Sequence, residues 1–126
     1  MPLTPQEIRD AYRDALLRVG ELNEDGTRAV SIRRYTGSGA DRPFDDTPVL
    51  ARVVGYEPHE LVGAIIQGDR KLIVYGPDLE DADFELPVRK NDKAVVRGVE
   101  VNIEAPDDNT RRVAGVLIAI EMRVRG

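Results

Sequence analysis

The sequence has no cysteine and no tryptophan. The first absence excludes disulfides and thiolate metal sites, and fits folding in a reducing compartment. The second, with only two Phe and four Tyr in 126 residues, leaves the core to Val, Ile, Leu and Ala. It also leaves few rings on which a sugar or a base can stack. Histidine occurs once, at His59, and serine only at Ser31 and Ser38. Neither serine sits in a strand-to-helix elbow, so nucleophile–base catalysis lacks its parts. Long apolar runs are missing too. The run Val116–Ile120 is far too short to span a bilayer, and no apolar signal segment follows Met1. The expectation is a soluble protein made in the cytoplasm, with no membrane partner.

Positive charge is the scarcer sign. Eighteen Lys and Arg face 23 Asp and Glu, for a net charge of −5, which argues against a phosphate-neutralising surface. The basic pairs Arg33–Arg34, Arg89–Lys90 and Arg111–Arg112 each have an acid within a few positions and read as solvated or interfacial. The acidic pairs Asp45–Asp46 and Asp107–Asp108 lack the alternating ligand spacing of a calcium loop and read as turn residues. Gly37-Ser38-Gly39 is followed by no Lys-Ser/Thr and no helix, so it is no phosphate cradle. The reading is a non-enzyme with no catalytic residue, no cofactor and no metal site.

What the chain does contain is one helix and then strands. Thr4, Pro5 and Glu7 supply an N-cap, a first-turn proline and a capping box. Ile8, Ala11, Tyr12, Ala15, Leu16 and Val19 follow at helical spacing, and Gly20 stops the helix, giving residues 4–20. Asn23 to Gly26 mark a turn. Strands are predicted near 28–35, 49–54, 72–75, 93–97, 99–104 and 112–124, with Gly98 turning a tight hairpin and Pro106 to Asn109 another turn. The last strand, ending the chain, is expected to offer a free edge. Residues 36–46 read as an exposed loop and 56–69 as a loop or short helix. Residues 76–92 read as a turn-rich excursion with at most one helical turn, anchored by Leu79, Phe84 and Leu86. The segment Leu61 to Ile66 is apolar without strand rhythm, and is either core or a contact patch. The fold class is α+β, one domain over residues 1–126. It is expected to be a small antiparallel β-barrel or rolled sheet of about six strands, with the helix packed outside.

Four stretches then carry a resemblance: Gly68-Asp69-Arg70 opening a strand, Pro87-Val88-Arg89-Lys90-Asn91-Asp92 before another, Val101-Asn102-Ile103-Glu104, and the final Val124-Arg125-Gly126. Their order resembles the small head-closure proteins, or stoppers, among the head–tail connectors of long-tailed bacteriophages and gene transfer agents. The similarity covers about residues 28–126. It implies a structural virion protein of the neck, assembled in the bacterial host cytoplasm. It implies a homo-oligomeric ring of about twelve copies to match a portal, closing head to tail. That ring would sit below the portal and its adaptor, close the DNA channel and offer a docking surface to a tail terminator or tail tube. An acidic lumen would let packaged DNA pass without specific binding.

By the same resemblance, the channel-facing loop would be 56–69, with Tyr56, Glu57, His59, Glu60, Leu61, Ile65, Gln67 and Asp69 as channel or interface residues. The loop facing a neighbouring ring would be 36–46, with Ser38, Asp41, Arg42, Phe44, Asp45 and Asp46. The competing readings are another neck ring (adaptor or tail terminator), a single-strand nucleic-acid-binding barrel, and a small hydrolase.

Overall fold

The capping signals at the N-terminus form as written. In a computed structural model describing residues 3–107 and 112–126, helix α1 spans Pro5–Val19, with the Thr4 hydroxyl accepting from Glu7 N–H and the Glu7 carboxylate accepting from Thr4 N–H. Gly20 follows, its N–H bonded to the Leu16 carbonyl, in a gap so narrow that a Cβ would stand 2.4 Å from that oxygen. The rest is strand-rich: β1 Val30–Tyr35, β2 Phe44–Val49, β3 Ala51–Gly55, β4 Arg70–Tyr75, β5 Lys93–Val96, β6 Val99–Asp107, β7 Arg112–Val113, β8 Val116–Leu117 and β9 Ala119–Arg125. A 3-10 turn covers Pro58–Glu60, and a short helix α2 covers Gly76–Asp81. The turn expected at Pro106 to Asn109 and the pair Arg111–Arg112 extend outside the described residues.

Among the described residues, seven strands form one antiparallel sheet in the order β2-β1-β5-β6-β9-β4-β3, and β7 pairs with β8 in a second, two-stranded sheet. Its edge strands, β2 and β3, are consecutive in the chain and separated by Leu50 alone. A flat sheet of this width would hold its edges about 29 Å apart, whereas Val49 and Ala51 lie within about 7 Å. The sheet is therefore curled until its edges meet at that corner. No ladder joins β2 to β3, so it does not close into a barrel by hydrogen bonding.

Three expectations need correction. Residues 49–54 are not one strand: the chain breaks at Leu50 and passes from one edge of the sheet to the other. Asp78 makes this possible, because its carboxylate accepts from Leu50 N–H at 2.7 Å while Arg28 grips the same carboxylate at 2.9 and 3.1 Å. The loop 36–46 is also too long. It ends at Pro43, and Phe44, Asp45 and Asp46 belong to β2, with Asp46 opposite Arg33 and Asp45 opposite Arg34. Finally, the last strand is neither continuous nor at an edge. Ala114 and Gly115, both at positive φ (50° and 78°), turn the β7–β8 hairpin, and β9 lies between β6 and β4. Arg97 and Gly98 make the same two-residue turn (51° and 78°) between β5 and β6, as the glycine predicts.

Period-two alternation assigns the two faces of the curl. The concave face carries Val30, Ile32, Val49, Ala51, Leu72, Val74, Ala94, Ile103, Ile120 and Met122, all at most 1 % exposed. Leu79 from α2 and Val88 plug this interior, with Phe84 and Leu86 packed against it. A second, smaller cluster on the convex side joins Leu16 of α1 to Leu50 and Tyr75. The helix is thus outside the sheet, as expected, but it buries only Leu16; Ala11 and Val19, on its predicted apolar stripe, are exposed.

Candidate functional site

Two loops end in the same device. In one, Asp69 N–H bonds the Ile66 carbonyl at 3.1 Å and the Asp69 carboxylate accepts from Ile66 N–H at 3.1 Å. Arg125 on β9 then grips that carboxylate through Nε and Nη2, at 2.7 and 2.8 Å, and also donates to the Ala64 carbonyl at 3.1 Å. In the other, Asp92 N–H bonds the Arg89 carbonyl at 3.0 Å and the Asp92 carboxylate accepts from Arg89 N–H at 2.8 Å. Arg34 on β1 grips it at 2.9 and 2.7 Å and donates to the carbonyls of Glu85 and Pro87. Each aspartate is almost fully buried, at 4 % and 3 % exposure. A planar fork against a carboxylate is the arrangement that best repays burial of the two charges.

Asp69 is a carboxylate under strong control. The Arg125 hydrogen bonds, aided by Ile66 N–H, pull its pKa from the usual 3.8 to about 2, against the upward push of burial. Arg123 adds a second positive charge at 3.6 Å.

Loop 56–69 lies across the convex face, because everything it grips there is an outward residue of β4 or β9. Glu60 accepts from Lys71 at 3.2 Å, and bonds from Glu57 N–H and Lys71 hold its pKa below the ordinary value. Lys71, whose pKa is raised chiefly by Glu60, also sits 5.2 Å from the Tyr56 ring centre. Tyr56 is half-buried, and burial raises its pKa. Of the eight residues expected in this loop, Tyr56, Glu60 and Asp69 fasten it. Glu57, His59 and Gln67 are exposed, and Leu61 and Ile65 are half-buried. Between the fastenings Val62 and Ile66 are 66 % and 51 % exposed. Neither was among the expected site residues, although their segment was. No residue from Leu61 to Ile66 is buried, so the segment is a surface patch and not core.

The other expected group is split. Ser38 and Asp41 are exposed in loop 36–43, and Arg42 folds back over the Tyr35 ring at 4.1 Å. Phe44 and Asp46 are bound to the convex face of β1: Arg33 stacks on Phe44 at 3.8 Å and grips Asp46 at 2.8 and 3.0 Å. Asp45 is exposed.

Sequence reasoning missed one feature entirely. The concave face is uncovered at a cleft of about 300 Å³ lined by Val53, Val96, Val99, Val101 and Val124, with Gly68 and Arg70 at its margin. Val99 is 60 % exposed. Only the fold brings these valines together.

Among the described residues, no group of three or more His, Asp or Glu is placed to hold a metal ion. No helix among them is long and apolar enough to cross a membrane. No protein-family model, curated protein or solved structure matches the chain.

Proposed function

We propose that this chain is a structural subunit that acts by fitting against copies of itself and against adjoining protein rings. Its particular place is the neck of a long-tailed bacteriophage or gene transfer agent. There it forms the head-closure ring below the portal and adaptor, closing the DNA channel and presenting a surface to the tail.

The observation that carries this reading is the apolar patch of loop 56–69. Val62 and Ile66 face water while Asp69, Ala64 and Glu60 are tied to the sheet. Exposed apolar side chains on a held loop favour a protein partner, because ordering has been met before binding and only the gain from burial remains. The curl that joins both sheet edges at Leu50 supports a barrel-like body for the subunit. A sheet-dominated chain also suits this ring better than a largely helical adaptor.

Electron microscopy of the chain mixed with portal–adaptor assemblies tests the proposal. The expected result is an added ring of this chain below the adaptor. Consistent failure to join such assemblies would overturn it.

A further inference from the structure

The outer edge of β3 is only partly used. Tyr75 N–H donates to the Leu50 carbonyl at 2.8 Å, and Glu21 N–H donates to the Ala51 carbonyl at 2.8 Å. Main-chain groups alternate in direction along a strand. Leu50, Arg52 and Val54 therefore turn theirs toward β4, and Ala51, Val53 and Gly55 turn theirs to the edge. Ala51 is met there by the segment that follows α1. Val53 and Gly55 have no main-chain partner on that side among the described residues. Their two N–H groups and two carbonyls form a short open stretch of edge.

The valine cleft and an unpaired charge adjoin that stretch. Val53 and Gly55 share the concave face with Ala51, and Val53 lines the cleft of about 300 Å³. The charged side chains lining the cleft are Arg70 and Arg97, with no acidic one among the lining residues. Arg97 is held by Glu21. Arg70 is exposed and has no polar partner among the described residues. It lies opposite Gly55 in the β3–β4 register, where even an added Cβ would meet nothing within 4 Å. No side chain on Gly55 separates the Arg70 guanidinium from the open edge.

We propose that this stretch takes an extended segment of another protein, carrying an acidic residue two positions before an aliphatic one. The segment adds to β3 as an antiparallel strand, as β4 does on the other side. Its aliphatic residue falls opposite Val53 and its acid opposite Gly55, a register with four main-chain hydrogen bonds. Both side chains then project on the concave face. The aliphatic one enters the cleft and covers Val99, which is 60 % exposed in the free chain. The acid meets Arg70 across Gly55, over about 10 Å between Cα atoms, a span that an arginine and a glutamate bridge together. The sign of the occupant follows from the lining, because a basic segment would face Arg70 with no acidic side chain to offset it. Glu60-Leu61-Val62 of a second copy has the right order, but its acid is already tied to Lys71 at 3.2 Å, which favours a different protein. The inference needs neither loop 56–69 nor a ring, so it stands or falls apart from the reading above.

The probe is a synthetic heptapeptide, Ser-Thr-Glu-Thr-Ile-Thr-Ser, capped at both ends so that no terminal charge contributes. It is titrated into the isotope-labelled chain and followed by amide NMR. The expected result is a set of shifts centred on Val53, Gly55 and Val99, with slowed hydrogen exchange at the Val53 and Gly55 amides. Replacing the peptide's Glu by Lys, or introducing Arg70→Glu, should each weaken binding about tenfold or more, the worth of a hydrogen bond to a charged group. The two changes together should restore it. Arg52→Glu, an equal change of charge on the convex face, should leave binding unaltered. Shifts confined to other residues, binding indifferent to Arg70→Glu, or no shifts at millimolar peptide would each overturn the proposal. Shifts of the same amides with protein concentration alone would overturn the foreign partner and assign the edge to a second copy. Shifts at the cleft with octanoate and none with the peptide would overturn it in favour of a small aliphatic acid.

Discussion

The loops before β4 and β5 are locked by the same clamp and used in opposite ways. In both, a buried aspartate closes a four-residue turn on its own backbone and is held by an arginine from a neighbouring strand, which also caps loop carbonyls. The segment before Asp92 turns its apolar residues inward: Val88 is buried, and Phe84 and Leu86 pack on the core. Arg34 also lies over the Phe84 ring, 4.2 Å from its centre. The segment before Asp69 turns Val62 and Ile66 outward. The first clamp belongs to the fold. The second holds a surface in shape. One local motif thus serves stability or presentation according to where the side chains between its fastenings point.

Breaking each clamp should separate these roles. Asp92→Ala strands Arg34, whose side chain is only 16 % exposed, against the core. Loss of one partner of a buried pair costs about 3–5 kcal/mol. Chemical denaturation should show that loss as a lowered midpoint of the whole molecule.

Asp69→Ala should cost less, about 2 kcal/mol, because Arg125 is 32 % exposed and can turn to water. Its main effect should be local. Limited proteolysis should cut within 56–69 while β-sheet amides keep their protection against hydrogen exchange. Equal global losses in the two variants would erase the distinction between the clamps.

Acid should act in the same direction on the second clamp. The folded pKa of Asp69, about 2, lies below its ordinary 3.8. Its contribution is therefore complete above about pH 4 and fades as pH falls through 2. Protection of loop 56–69 should fall over that window in the wild type, and the fall should shrink in Asp69→Asn.

The smallest effect on stability is expected at the tip. Val62→Ser with Ile66→Ser should shift the monomer by no more than about 0.5 kcal/mol, yet abolish joining to portal–adaptor assemblies. Val88→Ser, a like change on the inward loop, should instead destabilise the monomer by about 2 kcal/mol. The two denaturation curves measured together check the contrast.

Part of this was legible from residues alone. The cap at Thr4, the turn at Gly98 and the strand rhythm of residues 30–35 and 119–125 are local signals, decided by neighbours within a few positions. The cross-strand charges of β1 and β2 were legible in principle: Arg33-Arg34 and Asp45-Asp46 have the order an antiparallel pair requires. Taken singly they read as solvated or interfacial arginines and turn aspartates, because aspartate disfavours strands. Asp69 was singled out for its loop, but its partner Arg125 lies 56 residues away and leaves no local mark. The break at Leu50 was invisible, since Val49 to Val54 is uniformly strand-like and the carboxylate that satisfies Leu50 comes from Asp78.

The sequence by itself determined the kinds of element, most of their spans, and an aliphatic interior without thiols, because those follow from local geometry and composition. The tertiary structure alone decided which strands became edges, which face loop 56–69 covers, and whether its apolar residues meet protein or water. Those outcomes depend on pairings between residues far apart in the chain, where curl, register and buried charge must be satisfied together.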